Sequence, residues 1–229
     1  MRLTSAHVKL VHRDIADSGP DLKFSQFSHA DYEEHLEAFL QDRPDGPIGV
    51  FSYGSLIWKP AFVPAAVIRA TAPGWHRSFC LRVRRFRGTA DEPGLMMQID
   101  RGGNCEGVVQ EIAMGAELEV LRGLWRREMS NKPPSNYPRW IDVAAGGSYR
   151  RAVAFTANPD SPLYAGRLDP QFVAEQLAVA CGHLGSGAEY LQQTVAALER
   201  EGIHDPYLWD LQERVAAIIE QRFPDACLA

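Results

Sequence analysis

The hydrophobic pattern of this chain changes once along its length, and that change limits the folds open to it. Residues 48–157 carry short apolar runs bounded by turn residues, as β-strands do, whereas residues 169–223 carry the period of helices. One helical stretch, Ala116–Met129, interrupts the β-rich part. This layout lacks the regular alternation of strands and helices that builds a doubly wound parallel sheet. We therefore expect an α+β fold.

Turn residues divide the β-rich part into predicted strands. A first strand lies at "IGVFSY", Pro73-Gly74 separates two more, and Gly102-Gly103 separates another two. Gly146-Gly147 predicts a hairpin turn between the last two strands.

The N-terminal segment, residues 1–47, differs in character from the rest of the chain. It holds one predicted helix, with Ser28 as N-cap and apolar residues at helical spacing from Tyr32 to Leu40. The sequence "RPDGP" then breaks the chain. For 229 residues we predict a single domain over 1–229, with 1–47 packed on it as an extension.

Charge and cysteine content exclude several classes of protein. A net charge of −5 predicts that the protein does not bind nucleic acid, since nucleic-acid-binding proteins need a strongly basic face. The four cysteines are scattered without metal-ligand spacing, which predicts no metal site and suits a reducing cytoplasm. No apolar run approaches membrane-spanning length, so we expect a cytoplasmic protein without membrane contact.

Glu128 stands at an unusual place on the internal helix. Helical spacing puts Glu128 on the apolar stripe of that helix, with Arg126 and Arg127 pointing elsewhere. The stripe consists of Leu118, Leu121, Leu124 and Trp125. A carboxylate near an apolar face is costly unless it is paired, and burial raises its pKa toward the range useful for proton transfer.

Two interpretations of Glu128 follow from the residues alone. In one, the helix frays, and Glu128 is a surface residue or the ion-pair partner of a core arginine such as Arg77. In the other, Glu128 is a general base in a pocket. The turn at Tyr53-Gly54-Ser55 is equally open, as either a tight packed turn or a loop whose amides hold a ligand.

Five blocks of sequence, taken in order, resemble the ChaC family of γ-glutamylcyclotransferases over roughly residues 48–223. The pairing of "YGSLIW" with a later "W-R-R-E" carries most of the specificity, and the N-terminal segment carries little. The blocks are "VFSYGSLIWKPAF", "GWHRSFCLR", "LWRREM", "AVAFTANPDSPLYAG" and "GSGAEYL".

The resemblance implies a fold, an activity and a set of site residues. It implies a small mixed β-barrel with helices packed around it, and cleavage of glutathione to 5-oxoproline and Cys-Gly without metal or organic cofactor. It makes Glu128 the catalytic general acid and base. The γ-glutamyl binding loop then consists of Ser52, Tyr53, Gly54, Ser55, Leu56 and Ile57.

Two tyrosines are further substrate-binding candidates by resemblance. Tyr164 matches a family tyrosine, whereas Tyr137 lies in a longer, proline-bearing segment that departs from the family pattern after Glu128. Ser52 also departs, because the family often has glycine there. The alternatives are a cyclotransferase for another γ-glutamyl amine or amino acid, and a non-catalytic regulatory partner of a cation transporter.

Overall fold

The computed structural model describes residues 1–224 and combines helices with strands throughout. No helix within that range is both long enough and apolar enough to cross a bilayer. The helices are α1 (Ser5–Val11), α2 (His29–Leu40), α3 (Ser55–Trp58), α4 (Glu117–Glu128), α5 (Pro170–Val179), α6 (Gly187–Arg200) and α7 (Pro206–Arg222). The strands are β1 (Ser25–Gln26), β2 (Gly49–Ser52), β3 (Ala66–Val83), β4 (Gly94–Glu111), β5 (Asn131–Lys132), β6 (Asn136–Ala145), β7 (Ser148–Ala157), β8 (Cys181–Gly182) and β9 (Gly185–Ser186).

Five strands form a closed barrel in the order β2-β4-β3-β6-β7. The short strand β2 runs antiparallel to β4 and parallel to β7, so the barrel is mixed. β6 and β7 form the predicted hairpin, and its turn glycines Gly146 and Gly147 both have positive φ. The predicted α+β class with a small mixed barrel is confirmed.

The predicted breaks at Pro73-Gly74 and Gly102-Gly103 are wrong. Each lies inside one continuous strand, β3 or β4. Gly74 and Gly102 adopt φ values of 79° and 109°, which glycine reaches without a Cβ clash. The two neighbouring strands remain in contact there, where the His76 ring nitrogen Nδ1 lies 3.1 Å from the Gly102 carbonyl oxygen. Glycine bends the two strands without ending them, because a bend need not interrupt pairing.

The chain divides into two compact units. Unit 1 contains Met1–Asp21, Ser78–Met97 and the chain from Leu163 onward, and unit 2 contains Leu22–Arg77 and Gln98–Pro162. The predicted extension 1–47 is therefore shared between the units, with its helix α2 in unit 2. A single catalytic domain remains a prediction.

Unit 1 carries the helical part that the C-terminal sequence predicts. Asp169 and Asp205 are the N-caps of α5 and α7, and each is followed by proline at the first helical position. The side chain of Asp205 accepts a hydrogen bond of 3.0 Å from the backbone N–H of Leu208. Cys227, one of the four cysteines, lies outside the described residues.

Unit 2 holds the apolar cluster that supports Glu128. Ser28 caps α2 as predicted, in a reciprocal pair of hydrogen bonds with Asp31. The apolar faces of α2 and α4 then pack against one part of the barrel. The buried members of this cluster are Leu36, Ile48, Val50, Leu56, Ile112, Leu121, Leu124, Trp125, Met129, Val153 and Phe155.

Candidate active site

Glu128 is the last residue of α4. Leu121, Leu124 and Trp125 on that helix are completely buried, and Glu128 follows them on the same face, as the helical spacing predicts. Leu118, predicted for the same stripe, is instead 45% exposed in the first turn of the helix. The Glu128 side chain is 17% exposed. A carboxylate so placed is removed from most of the water that would stabilise its charge.

Two polar groups hold the Glu128 carboxylate. Arg127 Nε lies 3.1 Å from Oε1, and Asn136 Nδ2 donates a hydrogen bond of 3.1 Å to Oε2. Burial raises the pKa of Glu128, and the contacts with Arg127 and Asn136 oppose that rise without cancelling it. A carboxyl with these properties can accept a proton nearer neutral pH than an exposed glutamate can.

Helical spacing predicted that Arg127 points away from the face of Glu128, and this prediction is wrong. Its guanidinium reaches back across Glu128, donating to the Lys59 carbonyl oxygen at 2.7 Å and to Ser55 Oγ at 3.4 Å. The spacing argument placed its Cβ on another face, but a long side chain can cover a neighbouring position. One guanidinium therefore connects Glu128 with the residues that follow Gly54.

The loop after β2 is held from within the barrel. Ser52 Oγ donates to Gln110 Oε1 at 3.1 Å, and Gln110 Nε2 donates to the Leu56 carbonyl oxygen at 3.1 Å. Arg77, the arginine considered as a partner of Glu128, instead donates from Nε to the Tyr53 carbonyl oxygen at 2.8 Å. Ser52, Gln110 and Arg77 are all buried, so the loop has a fixed backbone frame.

A chain of buried polar side chains joins this loop to Glu128. Tyr53 Oη lies 2.7 Å from Gln98 Oε1, and Gln98 Nε2 donates to Asn136 Oδ1 at 2.9 Å. Asn136 completes the connection by its hydrogen bond to Glu128. Tyr53, Gln98 and Asn136 are each less than 10% exposed. The predicted loop and the predicted base thus belong to one hydrogen-bonded group.

The two tyrosine candidates belong to different units, Tyr137 to unit 2 and Tyr164 to unit 1. Tyr137 follows Asn136 on β6, so its side chain points to the opposite face; it is 39% exposed, with Arg139 stacked over its ring. Tyr164 belongs to unit 1, where it pairs with Leu81 in an isolated antiparallel bridge. Contact of either tyrosine with substrate stays a prediction.

Sequence reasoning missed the polar residues behind the site. Gln98 and Gln110 lie on β4, and Asn136 opens β6, where polar residues inside a barrel cost free energy unless they are hydrogen-bonded. The alternation of β6 could have separated Asn136 from Tyr137, but only with the strand register known. The glutamines carry no sequence signal that sets them apart from exposed ones.

Part of the N-terminal extension supports the end of α4. Tyr32 Oη donates a hydrogen bond of 2.7 Å to the carbonyl oxygen of Met129, the residue after Glu128. Two residues later the chain forms β5, which pairs with β1 of the extension, Ser25 opposite Lys132. Within residues 1–224, no group of three or more His, Cys, Asp and Glu side chains is placed to hold a metal ion.

A family model described as "ChaC-like protein" matches residues 48–218. The chain belongs to the ChaC-like family. The match begins at the residue where the sequence predicts the core to begin, and it leaves out the segment with β1 and α2. In this ChaC-like chain, the extension that contacts Met129 and β5 is therefore outside the family match.

Among curated proteins, the ChaC-like chain is similar to a "Glutathione-specific gamma-glutamylcyclotransferase" of Escherichia coli strain K12. The two are 37% identical over 196 residues, which cover 84% of each chain. It is 28% identical over 177 residues to "Glutathione-specific gamma-glutamylcyclotransferase 1" of Danio rerio, covering 74% of this chain and 89% of the relative.

Among solved structures, the ChaC-like chain resembles a γ-glutamylcyclotransferase specific to glutathione from yeast. The TM-score is 0.68 at 22% identity, over 76% of this chain and 97% of the yeast chain in its selenomethionine form. This likeness shows a shared fold.

Proposed function

We propose that this protein is a glutathione-specific γ-glutamylcyclotransferase, which converts glutathione to 5-oxoproline and Cys-Gly. The observation that carries the proposal is Glu128, a mostly buried carboxyl with a raised pKa that Arg127 and Asn136 hold beside the loop after β2. The names of the similar curated proteins support the choice of substrate.

The reaction needs no nucleophile from the protein. The α-amino nitrogen of the γ-glutamyl group attacks its own γ-carbonyl carbon, a five-membered ring closes, and the bond from that carbon to the cysteinyl nitrogen breaks. Because both reacting groups belong to one molecule, holding the substrate folded supplies a large share of the rate. Positioning residues and one proton carrier are then sufficient.

Glu128 is the proposed proton carrier. In its ionised form it accepts a proton from the attacking amine, which must lose a proton to act as a nucleophile. In its protonated form it returns a proton to the leaving cysteinyl nitrogen. A pKa raised by burial suits both steps, because the carboxyl can then bind and release a proton within the working pH range.

The loop from Ser52 to Ile57 is the proposed γ-glutamyl binding loop. Backbone N–H groups around Gly54 and Ser55 would face the substrate's carboxylate and the γ-carbonyl oxygen, on which negative charge develops. Buried contacts from Gln110 and Arg77 support this role, because they fix the loop before substrate arrives.

Product analysis with purified protein tests the proposal. Incubation with glutathione should release 5-oxoproline and Cys-Gly in equal amounts, and Glu128→Gln should lower kcat by roughly 100-fold or more. Glu119→Gln is the matched control, because Glu119 is exposed on the same helix. A folded Glu128→Gln variant with wild-type activity would remove Glu128 from the chemistry.

A substrate panel tests the specificity. Glutathione and γ-glutamyl-alanine share the reacting group and differ in what leaves, so the ratio of their kcat/KM values reports recognition of the leaving group. A higher kcat/KM for γ-glutamyl-alanine would favour the alternative of another γ-glutamyl substrate. Absence of 5-oxoproline from every γ-glutamyl compound would favour a non-catalytic binding protein.

We also propose that the protein acts in the cytoplasm. The three cysteines in the described range, Cys80, Cys105 and Cys181, are buried and belong to no disulfide, which suits a reducing compartment. Separation of cell extract into soluble and membrane fractions, followed by the activity assay, tests this placement.

A further inference from the structure

One buried hydroxyl group stands between two acceptors. Tyr53 Oη lies 2.7 Å from Gln98 Oε1 and 2.6 Å from the carbonyl oxygen of Phe155, and it has a single hydrogen to donate. It can therefore satisfy only one of these oxygens at a time. If the Gln98 side-chain amide rotated by half a turn, its N–H would donate to Tyr53 Oη. The Tyr53 hydroxyl would then donate its hydrogen bond to the carbonyl oxygen of Phe155.

The same exchange of donor and acceptor can extend through Asn136 to Glu128. As the groups now stand, every donor points toward the carboxylate: Tyr53 to Gln98, Gln98 to Asn136, and Asn136 to Glu128 Oε2. That direction suits an ionised Glu128, which only accepts hydrogen bonds. With Glu128 protonated, donor and acceptor can exchange roles in each of these three contacts, and the hydroxyl of Tyr53 then donates to the carbonyl oxygen of Phe155.

We propose that Gln98 and Asn136 form a relay of positioning residues, whose two side-chain amides turn over when Glu128 gains or loses its proton. In the reversed state Glu128 donates to Asn136 Oδ1, Asn136 Nδ2 donates to Gln98 Oε1, and Gln98 Nε2 donates to Tyr53 Oη. No covalent bond other than the O–H bond of Glu128 changes. The proposal deepens the proposed function, on which it rests for its purpose.

The relay explains how one site serves a base that later becomes an acid. A fixed set of donors would stabilise the ionised carboxylate alone and would oppose the proton that Glu128 must take up. A reversible set gives Glu128 a hydrogen-bond partner in both its ionised and its protonated state. It also connects each state with Tyr53, the second residue of the binding loop.

Other polar groups near Glu128 do not change charge with it. Arg127, from the same helix, is the charged neighbour of the carboxylate. On α2, Tyr32 contacts the Met129 carbonyl and His35 contacts Trp125, so neither is bonded to the carboxylate. The groups that contact Glu128 or its partners Arg127 and Asn136 are Gln98, Ser135, Ser55 and the Lys59 carbonyl, and Tyr32 and His35 contact the neighbouring residues Met129 and Trp125.

Side-chain amide NMR of the wild-type protein tests the relay without any substitution in the barrel. The ¹⁵N and ¹H shifts of the Asn136 and Gln98 amides should move with pH at the same midpoint as the ¹³C-labelled carboxyl of Glu128. Gln110 is the matched control, a buried glutamine on the same strand that contacts Ser52 and Leu56 instead, and should not move at that midpoint.

Two variants sharpen the result. In Glu128→Gln the shared midpoint should vanish from both amides. In Asn136→Leu the Gln98 amide should stop responding, and the Glu128 midpoint should rise by about one pH unit, because the ionised form loses a donor. A Gln98 amide that does not follow Glu128 in the wild type would overturn the proposal, and so would an equal response from Gln110.

The NMR experiment tests the relay and the activity assay tests the proposed function, so each can be contradicted without the other. If the amides follow Glu128 but no 5-oxoproline forms, the relay stands and the proposed function is wrong. If 5-oxoproline forms but Gln98 does not titrate with Glu128, the proposed function stands and the relay is wrong.

Discussion

The hydroxyl of Tyr32 hydrogen-bonds to the carbonyl oxygen of Met129 at 2.7 Å, and Met129 is the C-cap of α4, directly after Glu128. The last carbonyls of a helix have no partner within it, so a side chain that binds one fixes the end of the helix. A residue outside the family match thus helps to set the position of Glu128.

Tyr32→Phe should therefore lower both stability and catalysis. Losing this partly buried hydrogen bond should cost about 1 kcal/mol of unfolding free energy. It should also lower kcat more than it raises KM, because Glu128 moves while the binding loop does not. Urea unfolding and steady-state kinetics measure the two effects. Tyr149→Phe, at a tyrosine that is 76% exposed, is the control and should change neither.

Glu128→Gln should stabilise the protein against heat in neutral solution. Burial raises the folded-state pKa of Glu128, so the group favours folding when protonated and loses that contribution as pH rises through its folded pKa. The variant carries no such loss. We expect its melting temperature to exceed that of the wild type at pH 8. The gain should shrink as the pH is lowered, because a growing share of wild-type Glu128 is then protonated.

Scanning calorimetry at several pH values checks this result. Glu119→Gln, at the exposed glutamate of the same helix, should give a small change that does not grow with pH. A Glu128→Gln variant that is less stable than the wild type at pH 8 would mean that the contacts with Arg127 and Asn136 outweigh the cost of burial.

Arg127→Lys should lower kcat/KM by about tenfold or more, although it keeps the charge. An ammonium group cannot reproduce the three directions in which the guanidinium bonds Glu128, Ser55 and the Lys59 carbonyl. A small misplacement of a catalytic group costs a large share of the rate. Arg126→Lys, at the exposed neighbour, is the matched control. Equal kinetics for the two variants would show that charge alone matters at Arg127.

His35 should make the stability of the protein depend on pH. Its Nδ1 accepts a hydrogen bond of 3.1 Å from Trp125 Nε1, and burial lowers its pKa. The stability from neutral His35 is present above pH ~6.5 and is lost as pH falls through the lower folded pKa. The stability gap between the wild type and His35→Gln should therefore be largest at pH 8.

Urea unfolding of both proteins at pH 8, 6.5 and 5 measures that gap. His29→Gln is the control, at an exposed histidine on the first turn of the same helix. A gap that stays constant over this pH range would show that His35 does not gain a proton in the folded protein.

Local sequence patterns predicted most elements of the fold. They failed where the same residue type, such as glycine, occurs both inside strands and at strand ends. Ser28, Asp169 and Asp205 mark helix starts, because capping depends on a few neighbouring residues. Gly74 and Gly102 were misread as strand ends, since a glycine that bends a strand and one that ends it look alike in sequence.

The candidate site divides in the same way. Helical spacing placed Glu128 on the buried face, because that relation lies within one turn of helix. Sequence spacing could not identify Asn136 and Gln98 as partners of Glu128, because their contacts depend on the register of β6 and β4 in the closed barrel. The reach of Arg127 likewise depends on where the loop after β2 lies.

The pairing of β1 with β5 restricts how this protein can be recombined with its relatives. Gln26 and Asn131 contact one another although 105 positions separate them in the chain. A chimera that takes its first forty residues from one parent and the stretch after Glu128 from another would bring together two edges that were not selected for each other. Crossover points for grafting or shuffling should therefore keep these two stretches from the same parent.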